Sequence, residues 1–127
     1  MTEPNSTGVI VVDHGSRLEA ANALLHRVCR MYAERTGMPI VEPAHMELAE
    51  PTVGQAFARC VERGAKEIVV LPYFLSPGRH SMKDIPRFAA EAAAAFPGVA
   101  YRIAEPLGLD PCMADIMHRR VREALEH

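Results

Sequence analysis

Four short apolar runs punctuate the chain, and each is followed by a stretch whose apolar positions recur at helical spacing. The first, GVIVV from Gly8, is β-branched, as suits a strand covered on both faces, and it ends at Asp13-His14-Gly15-Ser16. Beyond Ser16, the positions Leu18, Ala21, Leu25, Val28 and Tyr32 return every three or four residues. They predict a helix with that stripe inward, stopped by Gly37 and Pro39. Ile40 to Met46 reads as a weaker strand, because Pro43 lacks an amide hydrogen and is tolerated only at a sheet edge or a bulge. Thr52 suits the N-cap of a second helix that buries Val53, Ala56, Phe57, Cys60 and Val61 and closes at Gly64.

The run IVVLPYFL, Ile68 to Leu75, predicts another strongly buried strand, whose tail passes into a loop holding Pro77, Gly78 and His80. A third helix is expected from near Asp84, since Pro86 fits a first turn, with Phe88, Ala92 and Phe96 buried and Pro97-Gly98 ending it. Val99 to Ala104 forms the fourth strand. The last helix takes Asp110 as its cap and Pro111 as its first residue, and directs Met113, Ile116, Met117, Val121 and Leu125 inward. The order βαβαβαβα implies right-handed crossovers, and the expected fold class is a three-layer α/β/α sandwich, flavodoxin-like, on a mainly parallel four-stranded sheet. No linker, low-complexity tract or convincing repeat interrupts it. At 127 residues one domain over 1–127 is expected, with residues 1–7 flexible.

Composition narrows the partners. With 49% hydrophobic and 24% charged residues the chain has the balance of a globular protein. A net charge of -2 gives no bulk attraction to phosphate backbones, so nucleic acid is not an expected partner and an anionic ligand must be met by local charge. Cys29, Cys60 and Cys112 lack CxxC spacing, and at least two fall where helices bury them, so buried thiols are expected. The first residues carry no basic region, and no apolar run reaches the roughly 18 residues of a membrane span, so a cytoplasmic, non-membrane protein is expected.

Ligands of an open parallel sheet bind at the carboxyl ends of its strands. Strand one ends at His14, strand two at Glu47, strand three leads to His80, and strand four ends at Glu105. Two neutral imidazoles and a carboxylate can hold a divalent first-row metal while leaving coordination positions open. Either imidazole, with an ordinary pKa of about 6.5, can equally accept a proton. Taken singly, His14 could cap backbone groups, Glu47 could be a solvated carboxylate and His80 a plain loop residue; their common placement carries the reading. His26, His45, His118 and His127 are assigned no catalytic role, and Met113, Met117, Phe88 and Phe96 are read as core packing. Arg17, Arg79, Lys83 and Arg87 fall in or just after the same loops, where they can meet the carboxylates of an acidic substrate.

The segments VIVVDHGSR, HMELAEPT, LPYFLSPGRHSMKDIP and AEPLGLDP together resemble the short CbiX/SirB class of tetrapyrrole chelatases, from Gly8 to about Leu125. The resemblance implies His14 and His80 as the metal-binding and catalytic pair and Glu47 as an assisting metal ligand; Ser16, Arg17, Arg79, Ser81 and Lys83, in the same strand-end loops, are the expected substrate-binding residues. It implies sirohydrochlorin as substrate, on the routes to cobalamin and sirohaem. Cobalt is the expected metal substrate, iron or nickel the alternatives, and no organic cofactor is needed. It further implies a homodimer with an active site between two lobes, and a twofold interface built partly from the last helices is expected. Two rivals remain: a non-catalytic metal or tetrapyrrole carrier with the same residues, and a phosphotransfer site on His14, for which only Gly15 and Arg17 would cradle phosphate.

Overall fold

The computed structural model describes residues 6–76 and 78–127, and of residues 79–82 the backbone alone. Eight elements alternate: β1 (Thr7–Asp13), α1 (Glu19–Thr36), β2 (Ile40–His45), α2 (Val53–Glu62), β3 (Glu67–Pro72), α3 (Arg79–Ala93), β4 (Ala100–Ile103) and α4 (Pro111–Leu125). The sheet is parallel throughout, in the order β2-β1-β3-β4. Pro43 therefore lies on an edge strand, as its missing donor requires. The expectation of flexibility for residues 1–7 falls mainly on residues 1–5, outside the described residues; Thr7 already pairs with Glu67.

β1 has a strand on either side, and Gly8 to Val12 are all buried. Ile10 and Val12 join Ile68, Val70, Phe57, Ile85 and Ala89 in the larger core under α2 and α3, while Val9 and Val11 meet Leu25 and Cys29 of α1 on the opposite face. Thr52 caps α2 as the sequence suggests: its hydroxyl accepts the Gln55 amide at 3.1 Å and the Gln55 side chain accepts the Thr52 amide at 2.9 Å. Gly37, at φ 76°, closes α1 in the left-handed conformation.

Several expectations need correction. The buried stripe of α1 is narrower than predicted: Leu25 and Cys29 are buried and Val28 and Tyr32 half-buried, but Leu18 and Ala21 are exposed. β3 ends at Pro72, where its ladder to β1 stops, and the chain leaves the sheet after the Tyr73 amide reaches the Val12 carbonyl at 2.7 Å. It is covered on one face only, with Ile68, Val70 and Pro72 buried and Val69 and Leu71 half-buried. α3 starts at Arg79, so Pro86 stands inside it and His80 belongs to its first turn rather than to a loop. The proline forfeits one helical hydrogen bond, and because Pro86 is itself exposed, its neighbours Ile85 and Ala89 pack undisturbed.

The largest departure concerns α4. Asp110 caps it as expected, accepting the Cys112 amide at 2.8 Å, but no residue of the helix is buried. Ile116, Met117, Val121 and Leu125, predicted inward, are exposed by 40%, 67%, 52% and 81%. The helix stands away from the sheet, so the layer on the α1 side is half built. Helical periodicity shows that a stripe needs covering and leaves open what covers it.

Candidate active site

The strand order sets β2, β1 and β3 side by side, so Glu47, His14 and the exit of β3 leave the same edge as neighbours. Glu105, beyond β4, is two strand spacings from β1, about 10 Å, which separates it from that group. The β1–β2 ladder continues past both strands: the Met46 amide donates to the Asp13 carbonyl at 2.9 Å, and the Glu47 amide to the His14 carbonyl at 3.1 Å. Two candidate metal donors are thereby held on adjacent, hydrogen-bonded backbone, and both are exposed.

The turn that carries His14 is built by its neighbours. Asp13 Oδ1 accepts the Gly15 amide at 3.0 Å, an i to i+2 closure typical of aspartate at turns. Gly15 has φ 90°, and a Cβ on it would lie 1.9 Å from the Glu47 carbonyl oxygen, so only glycine lets the two segments approach this closely. Asn22 clasps the next residue from α1, its Oδ1 accepting the Ser16 amide at 2.9 Å and its Nδ2 donating to the Ser16 carbonyl at 2.7 Å. The Ser16 hydroxyl oxygen accepts the Leu18 amide at 3.0 Å. The His14 ring packs against Phe74 with centroids 4.4 Å apart and planes tilted by 49°.

Phe74 lies between β3 and α3, so His14 touches the segment that delivers His80 to the first turn of α3. The side chains of Arg79, His80 and Ser81, and Pro77 altogether, lie outside the described residues. Among the described residues no three metal-donor side chains form a cluster, which leaves the His14–Glu47 edge as the described part of the site. Arg17 and Lys83 are exposed, whereas Arg87 is drawn onto its own helix, 3.3 Å from Asp84 and 5.0 Å above the Phe88 ring. A groove of about 760 Å3 opens between α1 and Ala49 and Glu50, lined by His26, Arg27 and Arg30 but not by His14.

Thiols are poorly placed to act as ligands or nucleophiles here. Burial pushes Cys29 and Cys60 up to about 12, and at exposed Cys112 the hydrogen bond to Asp110 also raises the pKa. Sequence reasoning passed over Asp13, Asn22, Phe74 and His45. An aspartate two residues before a glycine at a strand end was the available signal for Asp13; the other three depend on contacts across the sheet.

Residues 8–124 match the family model for CbiX. The chain is 49% identical over 123 residues to the chloroplastic sirohydrochlorin ferrochelatase of Arabidopsis thaliana, covering 97% of this chain and 55% of that protein. It is 32% identical over 134 residues to the sirohydrochlorin cobaltochelatase of Methanosarcina barkeri, covering 98% of this chain and all (100%) of the relative. The fold superposes with a TM-score of 0.85 on the sirohydrochlorin chelatase SirB from Bacillus subtilis subspecies spizizenii in complex with cobalt, at 29% identity, over 93% of this chain and 50% of that one. The chain thus spans about half the length of some relatives and the whole of another. A parallel sheet whose first strand ends in the Asp13-His14-Gly15 turn, matched over nearly its full length by one family model, makes this chain a member of the CbiX family.

Proposed function

We propose that the protein is a sirohydrochlorin chelatase, inserting a divalent metal ion into the tetrapyrrole. The observation that carries this reading is the side-by-side placement of His14 and Glu47 at the carboxyl edge of β1 and β2, next to the segment that leads to His80. His14 and Glu47 supply an imidazole and a carboxylate to the incoming cation, and His80 adds the second imidazole. Three protein donors leave open positions through which the pyrrole nitrogens take over the ion. Two pyrrole protons must leave as the metal enters, and the two imidazoles, each freed as the ion passes to the pyrrole nitrogens, accept one apiece. Ser16, Arg17, Arg79, Ser81 and Lys83 are the proposed contacts to the substrate's carboxylates, with Arg17 and Lys83 exposed and able to reach them.

Cobalt and ferrous iron are both proposed substrates. Relatives of each kind match the chain, and an imidazole–carboxylate set binds Co2+ more tightly than Fe2+. Supply in the cell, proposed here to be the cytoplasm, then selects between them. No organic cofactor takes part in the reading.

The acting unit is proposed to be a homodimer. Among the described residues nothing buries the apolar stripe of α4, and the open face beside α1 holds an apolar groove of about 410 Å3 lined by Val11, Val28, Tyr32, Leu71 and Leu107. A second copy answers both, and two units of this size match the length of the SirB chain, half of which this chain covers. The carrier alternative binds the same ligands without turnover. Anaerobic absorbance assays of sirohydrochlorin with Co2+, Fe2+ or Ni2+ separate the two. Metallated product is expected with wild type and lost in His14→Ala and His80→Ala; full activity in both variants would refute the assignment.

A further inference from the structure

Among the described residues His45 is the buried polar side chain, with 0% exposure. Its Nδ1 lies 2.6 Å from Asp13 Oδ1, and its Nε2 has no hydrogen-bond partner among the described residues. A buried ring nitrogen left unanswered opposes folding, and an apolar residue of similar size would avoid that penalty. Packing at the end of β2 therefore does not call for a histidine; what Nδ1 holds does.

An ionised carboxylate only accepts hydrogen bonds, so in this contact Nδ1–H donates and Asp13 Oδ1 receives. The same oxygen receives the Gly15 amide at 3.0 Å, which closes the turn around His14. The backbone ladder, Met46 to Asp13 and Glu47 to His14, keeps the strands in register, but it leaves the Asp13 side chain free to rotate. That side chain is 24% exposed, so without His45 water competes for its oxygens and the turn around His14 loses its anchor. His45 thus ties β2, two residues before Glu47, to the turn that presents His14.

We infer that His45 is a positioning residue: acting through Asp13, it holds His14 and Glu47 in the mutual arrangement that receives the metal, without touching the ion itself. The inference rests on the assignment of His14 and Glu47 as metal donors. Partners of this outer kind change metal affinity by roughly 10- to 100-fold when removed.

Two variants separate positioning from packing. His45→Phe keeps a buried ring but removes both the donor and the unanswered nitrogen; His45→Asn leaves a small cavity but puts an amide N–H where Nδ1 stood. Each is titrated with Co2+ alone, followed by the visible d–d absorption of the bound ion, and unfolded thermally alongside wild type and His14→Ala. His45→Phe is expected to unfold no earlier than wild type yet to bind Co2+ roughly 10- to 100-fold more weakly with an altered d–d spectrum. His45→Asn is expected to unfold earlier yet to recover most of the affinity and the wild-type spectrum. The inference is overturned if His45→Phe binds like wild type, or if His45→Asn binds no better than His45→Phe. Should His14→Ala also bind like wild type, the metal-site reading itself has failed; if it loses binding while His45→Phe does not, only the positioning role falls.

Discussion

Replacing Gly15 with alanine tests the packing of the site at its tightest point. The backbone there has φ 90°, and holding an L-residue in that region costs roughly 1–2 kcal/mol. The new Cβ would stand 1.9 Å from the Glu47 carbonyl oxygen and 3.1 Å from its carbon, so the Glu47 peptide must retreat by roughly 1 Å. That movement breaks the 3.1 Å bond from the Glu47 amide to the His14 carbonyl, worth roughly 1 kcal/mol, and displaces one proposed metal donor from the other. The expected loss is about 3 kcal/mol in urea unfolding with an unchanged m value, or about 10 °C in Tm. Gly37→Ala is the control: its φ is 76° with nothing within 4 Å of the added carbon, so it bears the conformational cost alone. If Gly15→Ala destabilises no more than Gly37→Ala and binds Co2+ like wild type, the close approach of the His14 and Glu47 segments is wrong.

Three further outcomes follow from the fold. Val121→Glu, on the uncovered stripe of α4, is expected to shift sedimentation from dimer to monomer and to abolish chelation while Co2+ binding persists, since the proposed donors come from one chain; a wild-type monomer, or a variant that stays dimeric, contradicts the proposed assembly. Cys29 and Cys60 are expected to resist alkylation at pH 8 until the protein is unfolded, while exposed Cys112 reacts first. Because burial raises both thiols from 9.0 to about 12, the stability gained by keeping them neutral is complete below pH 9 and falls away toward pH 12, so unfolding midpoints should drop across that interval. Prompt labelling of all three thiols in the native protein would contradict the burial.

Much of the candidate site was legible in the sequence. The ends of β1 and β2 could be marked because their apolar runs stop at polar residues, and a parallel sheet sends its strand ends to one edge; the apolar run after β3 hid its end at Pro72. His14 and Glu47 were picked out as candidates this way, and the structure sets them on adjacent backbone; Thr52, Gly37 and Asp110 were readable because caps depend on one or two local hydrogen bonds. The start of α3 was misjudged for the opposite reason. Pro86 is a local signal for a first turn, and the packing of Ile85 and Ala89 against α2 and the sheet overrode it.

His45 looked idle because alternation along β2 says which residues share a face and nothing of the carboxylate one strand away. Only the pairing of Asp13 with His45 across the sheet made that histidine a partner of the site. The distance that separates Glu105 from that group likewise depends on strand order, which no segment encodes by itself.

The chain's own pattern determined the alternation of strands and helices, the caps, and the residues offered at the strand ends, because these depend on neighbours three or four positions apart. Tertiary structure decided which strand ends adjoin, which face of β3 is covered, and that α4 stays uncovered among the described residues. Those outcomes depend on contacts between residues distant in sequence, whose free energy is gained only once the sheet has assembled.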